Sequence, residues 1–123
     1  MKYEKITEPV IQAAIEVHRT LGPGLLESAY EQCLAYELKQ KGINIKLQHG
    51  LPVEYKGLKL DCGYRIDIFV EKNLIVELKS VERILPIHEA QILTYMKLTK
   101  VKVGLLINLN VLRVKEGIKR FVL

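Results

Sequence analysis

The sequence predicts an α/β fold, one domain over residues 1–123 built as a mixed β-sheet flanked by helices. Three observations point there. Two segments with helical apolar periodicity open the chain, β-branched runs then follow one another closely, and a helical stretch leads into an almost wholly apolar run. The last feature marks a crossover into a strand buried on both faces. The order is α-α-β-β-β-α-β with a short final strand, and the three consecutive strands are antiparallel.

Residues 4–21 place Ile6, Val10, Ala13, Val17 and Leu21 at three- and four-residue steps, the period of a helix with one apolar side. Gly22-Pro23-Gly24 ends it. A second helix is expected over residues 25–40, burying Leu26, Tyr30, Cys33, Leu34 and Leu38, with Gly42 as its stop. Residues 44–55 read as a first strand, bent or interrupted near Gly50 and Pro52, because proline cannot donate to a sheet ladder. Lys56-Gly57 turns the chain into a second strand over residues 58–70. The polar Glu71-Lys72-Asn73 turn leads to a third over residues 74–79. Pro86 starts a helix running to residue 99, since proline is tolerated in a first turn. Residues 101–108 form the buried strand, and residues 117–123 add an edge strand. No repeat or linker breaks this order.

Composition narrows the function classes. With 49% hydrophobic and 27% charged residues, the chain suits a globular protein with a real core. No apolar run approaches the roughly 18 residues of a membrane span, and residues 1–8 lack an apolar leader core. Cys33 and Cys62 are far apart without metal-ligand spacing, which fits free thiols in the cytoplasm. The net charge of +5 is uneven: residues 1–40 hold 4 basic against 6 acidic side chains, whereas residues 97–123 hold 7 basic ones against Glu116 alone. This asymmetry suits a polyanion-binding face, and a merely soluble basic protein nearly as well.

Chemistry centres on residues 64–79. Side chains alternate along a strand, so Arg65, Asp67 and Phe69 are expected on one face, and Ile75, Glu77 and Lys79 on one face of the next strand. With residues 71–73 as a three-residue loop, Val70 pairs with Leu74, Asp67 falls opposite Glu77 and Arg65 opposite Lys79. Directly opposed like charges destabilise a sheet. A divalent cation between the carboxylates removes the conflict, and Mg²⁺ suits such a site, taking one or two carboxylates with waters and a substrate phosphate. Lys79 would then hold an attacking water or a phosphate oxygen. The plain alternative is a solvated sheet face carrying ordinary charges.

Asp67, followed by Glu77-Leu78-Lys79 on the neighbouring strand, resembles the metal-site pattern of the PD-(D/E)XK nuclease superfamily. Gly24-Leu25-Leu26-Glu27-Ser28-Ala29-Tyr30 resembles the motif that names the GxxExxY proteins, small prokaryotic members of that superfamily. The likeness covers nearly the whole chain, from Val17-His18 through these motifs and His88-Glu89-Ala90-Gln91 to Gly117-Ile118-Lys119-Arg120. It implies a restriction-endonuclease-like fold and a nuclease hydrolysing phosphodiester bonds, in DNA ahead of RNA, with Mg²⁺ or Mn²⁺. It implies metal ligation by Asp67, Glu77 and the Leu78 carbonyl, with Glu27 as a third carboxylate and His18 as an additional ligand. Lys79 would position the water or neutralise developing charge. Gln91 and Tyr95, one helical turn apart, resemble the pair of the RecB-type branch that orients active-site groups or contacts DNA. The superfamily's proline before the aspartate is replaced by Ile66, at a position that supplies no ligand.

Each residue also has a plainer role. Glu27 answers the dipole of its helix, His18 is structural, Tyr30 packs in the core with its hydroxyl satisfied nearby, and Gln91 with Tyr95 forms a polar helix face. Two other functional classes stay open: a non-catalytic nucleic-acid-binding module that keeps the nuclease fold, and a protein-assembly subunit. A homodimer is expected, because so small a chain encloses little of a duplex.

Overall fold

Apolar periodicity and stop signals place α1 at Glu4–Leu21 as expected, whereas α2 spans Glu27–Gln40 and starts two residues late, so that Leu26, expected on its buried side, precedes the helix and is exposed. The computed structural model describes residues 3–123; Met1 and Lys2, within the segment read above for a leader, lie outside the described residues. The strands are β1 (Ile45–Gly50), β2 (Val53–Tyr55), β3 (Leu58–Leu60), β4 (Arg65–Val70), β5 (Leu74–Lys79), β6 (Val103–Asn108) and β7 (Ile118–Val122), and α3 (Pro86–Thr99) precedes β6. Five of them form one sheet in the order β1-β4-β5-β6-β7. Neighbours β1, β4 and β5 are antiparallel, β5 and β6 are parallel across α3, and β7 returns antiparallel. The architecture is the mixed α/β sheet that the sequence predicts.

The expected strand bounds need correction. The strands expected over 44–55 and 58–70 are each broken, and their middle parts leave the sheet as a separate β2–β3 hairpin. Pro52, with no N–H to give, lies in the break after β1. On the return, the Asp61 carboxylate accepts the Gly63 N–H at 3.1 Å, and Gly63 takes φ 78°, a side-chain-closed turn that ends β3. The three consecutive antiparallel strands of the main sheet are therefore β1, β4 and β5.

Helices cover both faces of the sheet. On one side Val10, Ala14 and Val17 of α1 and Leu34 and Leu38 of α2 join Ile68, Val70, Leu74, Val76 and Leu78. On the other, Ile92, Tyr95 and Met96 of α3 join Ile66, Ile75 and Leu106. Burial on both faces explains why β5 and β6 read as nearly continuous apolar runs. Gly104 makes the α3 contact possible: a Cβ there would lie 2.8 Å from Met96 Sδ and 3.1 Å from Ile92 Cδ1.

Strand β4 departs from simple alternation. Ile66 belongs with the α3 side and Phe69 packs against that same side, while Ile68 and Val70 lie on the α1–α2 side. Two residues three apart share a face, so the strand rolls over around Asp67. Arg65, Asp67 and Phe69 therefore do not share one face.

Candidate functional site

The β4–β5 loop falls at residues 71–73 as predicted, and the register runs Val70↔Leu74, Phe69↔Ile75, Ile68↔Val76. One step further the ladder stops. Asp67 N–H donates to Glu77 Oε2 at 2.7 Å, and Leu78 N–H donates to Asp67 Oδ2 at 2.8 Å. Each carboxylate thus replaces a backbone carbonyl as acceptor for the opposite strand. This is how two like charges are tolerated at one level of a sheet: each receives an amide hydrogen where a carbonyl would normally sit.

The electrostatics remain strained. Glu77 is 4% exposed; burial, then the neighbouring Asp67 charge, push its carboxyl up to about 8, against the pull of the Asp67 amide and Lys79. Asp67 is raised as well, by burial foremost, although the Leu78 amide, Gln48 and Lys79 favour its charged form. Among the described residues, neither carboxylate pairs directly with a Lys, Arg or His.

Helix α2 supplies the next wall. Tyr30, fully buried, donates its hydroxyl hydrogen to the Gly22 carbonyl at 2.6 Å and accepts the Leu25 N–H at 3.1 Å, locking the turn before the helix. That turn sets Glu27 beside the end of β5, where Glu27 Oε2 accepts the Ser80 N–H at 3.3 Å and the Ser80 hydroxyl donates to the Leu25 carbonyl at 2.5 Å. Glu27, Ser28, Glu31, Gln48, Asp67 and Leu78 line one open cleft of about 480 Å³. On the α3 side, Gln91 Nε2 donates to the Tyr95 hydroxyl at 3.2 Å, and the Tyr64 ring packs edge-on at 6.3 Å. Burial, then the Glu77 charge, keep the Tyr95 phenol protonated beyond its usual range.

His18 is placed elsewhere. Its Nε2 lies 2.7 Å from the Val111 carbonyl, and the ring borders a different depression with Ile15, Arg113 and Lys115. It does not line the Asp67 cleft, because the loop after β6 reaches back to α1 and takes up the imidazole.

Comparison with known families matches residues 4–121 to the PD-(D/E)XK nuclease superfamily. The chain belongs to that superfamily. No curated protein and no solved structure matches significantly. Members of this superfamily act on nucleic acid and generally use divalent metals. Among the described residues, no group of three or more His, Cys, Asp or Glu side chains is gathered to hold a metal alone. Two adjacent carboxylates that resist charging together, with a cleft open at Asp67, nevertheless fit a hard divalent ion that takes few protein ligands and completes its shell with water and phosphate.

Two residues of the cleft escaped the sequence reading. Glu31 lies one turn after Glu27, so both carboxylates share a face of α2, a like-charge spacing that a stability-only helix avoids and that was the available signal. Gln48 carried none, because only the sheet brings it to Asp67. Asn108, 2% exposed, also matters: its side chain accepts the Val81 N–H at 3.1 Å and donates to the Val81 carbonyl at 3.0 Å, pinning the loop after Lys79.

Proposed function

We propose that this chain is a divalent-metal-dependent nuclease acting on DNA, a GxxExxY-type member of the RecB-type branch. The observation that carries the reading is the Asp67–Glu77 pair, a half-buried and a buried carboxylate on amide hydrogens of opposite strands, with Lys79 one side-chain step beyond. Left alone, that arrangement raises both carboxyls, Glu77 to about 8. A cation would favour the charged forms.

Asp67, Glu77 and the Leu78 carbonyl are the proposed Mg²⁺ or Mn²⁺ ligands, with Glu27 contributing from α2. The bound ion would supply Lewis-acid polarisation of the phosphate and a lowered pKa for the attacking water. Lys79 holds the water or a phosphate oxygen and offsets the charge that develops during displacement. Gln91 and Tyr95, hydrogen-bonded to each other, support the site from α3. His18 is left out of the ligand set, since its ring lies off the Asp67 cleft with Nε2 on the Val111 carbonyl.

The decisive experiment is a calorimetric titration of the protein with Mn²⁺ and Mg²⁺ beside an Asp67→Ala/Glu77→Ala control. Binding by the wild type and not by the control is expected. Equal heats from both proteins, or none from the wild type with an oligonucleotide present, would overturn the metal site and favour a binding module without catalysis.

A further inference from the structure

Gln48 sits where the β1–β4 ladder skips a step. Leu47 pairs with Ile68 and His49 with Ile66, while Gln48 and Asp67 between them are not paired. The Gln48 backbone has φ 49°, in the left-handed region. A glutamine enters that region at a cost, whereas glycine enters it freely and asparagine more easily than most residues.

What the conformation achieves is visible in the side chain. Gln48 Nε2 donates to Glu31 Oε1 at 2.5 Å and to Asp67 Oδ1 at 3.2 Å. One amide nitrogen has two hydrogens and here meets two carboxylates, so its donors are fully used and the amide cannot turn over without facing oxygen to oxygen. Glu31 is itself 8% exposed and rides on α2, whose start is fixed by Tyr30. The other Asp67 oxygen is taken by the Leu78 amide. Both oxygens of Asp67 are therefore oriented, one by β5 and one by α2 through Gln48.

We propose that Gln48, held by Glu31, is a positioning residue that fixes the rotation of the Asp67 carboxylate for cation binding. The inference rests on the metal site proposed above. A residue that only satisfied a buried carboxylate would show its value in stability. One that orients a ligand shows it in metal affinity, typically by about 10–100-fold.

The test is Mn²⁺ titration by calorimetry, with thermal unfolding measured without metal, on the wild type, Gln48→Gly, Gln48→Asn, Glu31→Gln, Glu31→Ala and the Glu31→Ala/Gln48→Gly double variant. Gln48→Gly relieves the backbone and is expected to melt no lower than the wild type, yet to bind Mn²⁺ about 10–100-fold more weakly. Gln48→Asn, one methylene short, follows it. Glu31→Gln keeps an acceptor for Gln48 and retains affinity near the wild type, while Glu31→Ala behaves like Gln48→Gly. The double variant loses no more than the larger single loss, because both act through one contact chain.

Wild-type affinity in Gln48→Gly, within about twofold, overturns the role of Gln48 while leaving the metal site standing. So does a double variant whose losses multiply, which would make Glu31 a ligand in its own right. No Mn²⁺ binding by the wild type overturns the metal site itself and the role of Gln48 with it.

Discussion

At the loop end of the β4–β5 hairpin, Ile68, Phe69 and Val70 pair through the backbone with Val76, Ile75 and Leu74. At the other end the same two strands carry Asp67, Glu77 and Lys79, and side-chain carboxylates take over as acceptors. The first end buries apolar surface on both faces between the helices. The second gathers charge that burial disfavours. The contrast teaches how one short hairpin serves two purposes: its apolar half fixes the register, and the charged half inherits its positions from that register, two residues at a time.

The sharpest way to break the contrast is at the charged end. Lys79→Ala is expected to lower nuclease activity about 100- to 1000-fold, the effect of removing one charge-stabilising donor, while circular dichroism and thermal melting stay close to the wild type. Retained activity would show that Lys79 takes no part in the chemistry. At the apolar end the prediction reverses. Ile68→Ala, at a fully buried position, should cost about 2–5 kcal/mol in denaturant unfolding and leave Mn²⁺ affinity per folded molecule unchanged.

Titration with pH probes the charged end directly. The Glu77 carboxyl is raised from 4.5 to about 8 in the folded chain, so between those values the folded state holds a proton that the unfolded state has lost. Stability without metal should therefore fall as pH rises through this window and level off above it. Glu77→Gln should flatten that slope, which thermal melts at a series of pH values will show. Metal binding needs the charged form, so Mn²⁺ affinity should rise over the same interval. A metal-free protein whose stability increases from pH 5 to 8 in step with Glu77 would contradict the burial argument. The smallest effect is expected at His18: His18→Asn should change Mn²⁺ affinity by less than about twofold, because the ring serves the Val111 contact and lies off the cleft, and should cost about 1 kcal/mol through that lost hydrogen bond.

Local information carried much of this molecule. The three-residue loop at 71–73 was legible because hairpin register depends on turn length and neighbouring residues, and with it came the nearness of Asp67 and Glu77, although the backbone register ends at Ile68↔Val76, before that pair and before the expected Arg65–Lys79 pair. The helices were legible through apolar period and their Gly-Pro-Gly stop. The roll of β4 at Asp67 was not, since strict alternation assumes that carbonyls complete the ladder, and here carboxylates do. The departure of residues 53–60 from the sheet had its signal in Pro52, but a proline tells where pairing ends and not where the chain goes. Gln48 and the seat of His18 depend on contacts between residues 19 and 93 positions apart, beyond any local pattern.

Strand β5 lies in the middle of the sheet, between β4 and β6, with its residues almost wholly buried. In hydrogen exchange with deuterated water, amides bonded at such a position are released only when the whole domain opens. The paired amides of β5 should thus mark the global limit, and the exposed β2–β3 hairpin should exchange long before it. The Asp67 and Leu78 amides belong to neither group. They are held by carboxylates, so their exchange follows the charge of the site and turns two backbone hydrogens into its reporters.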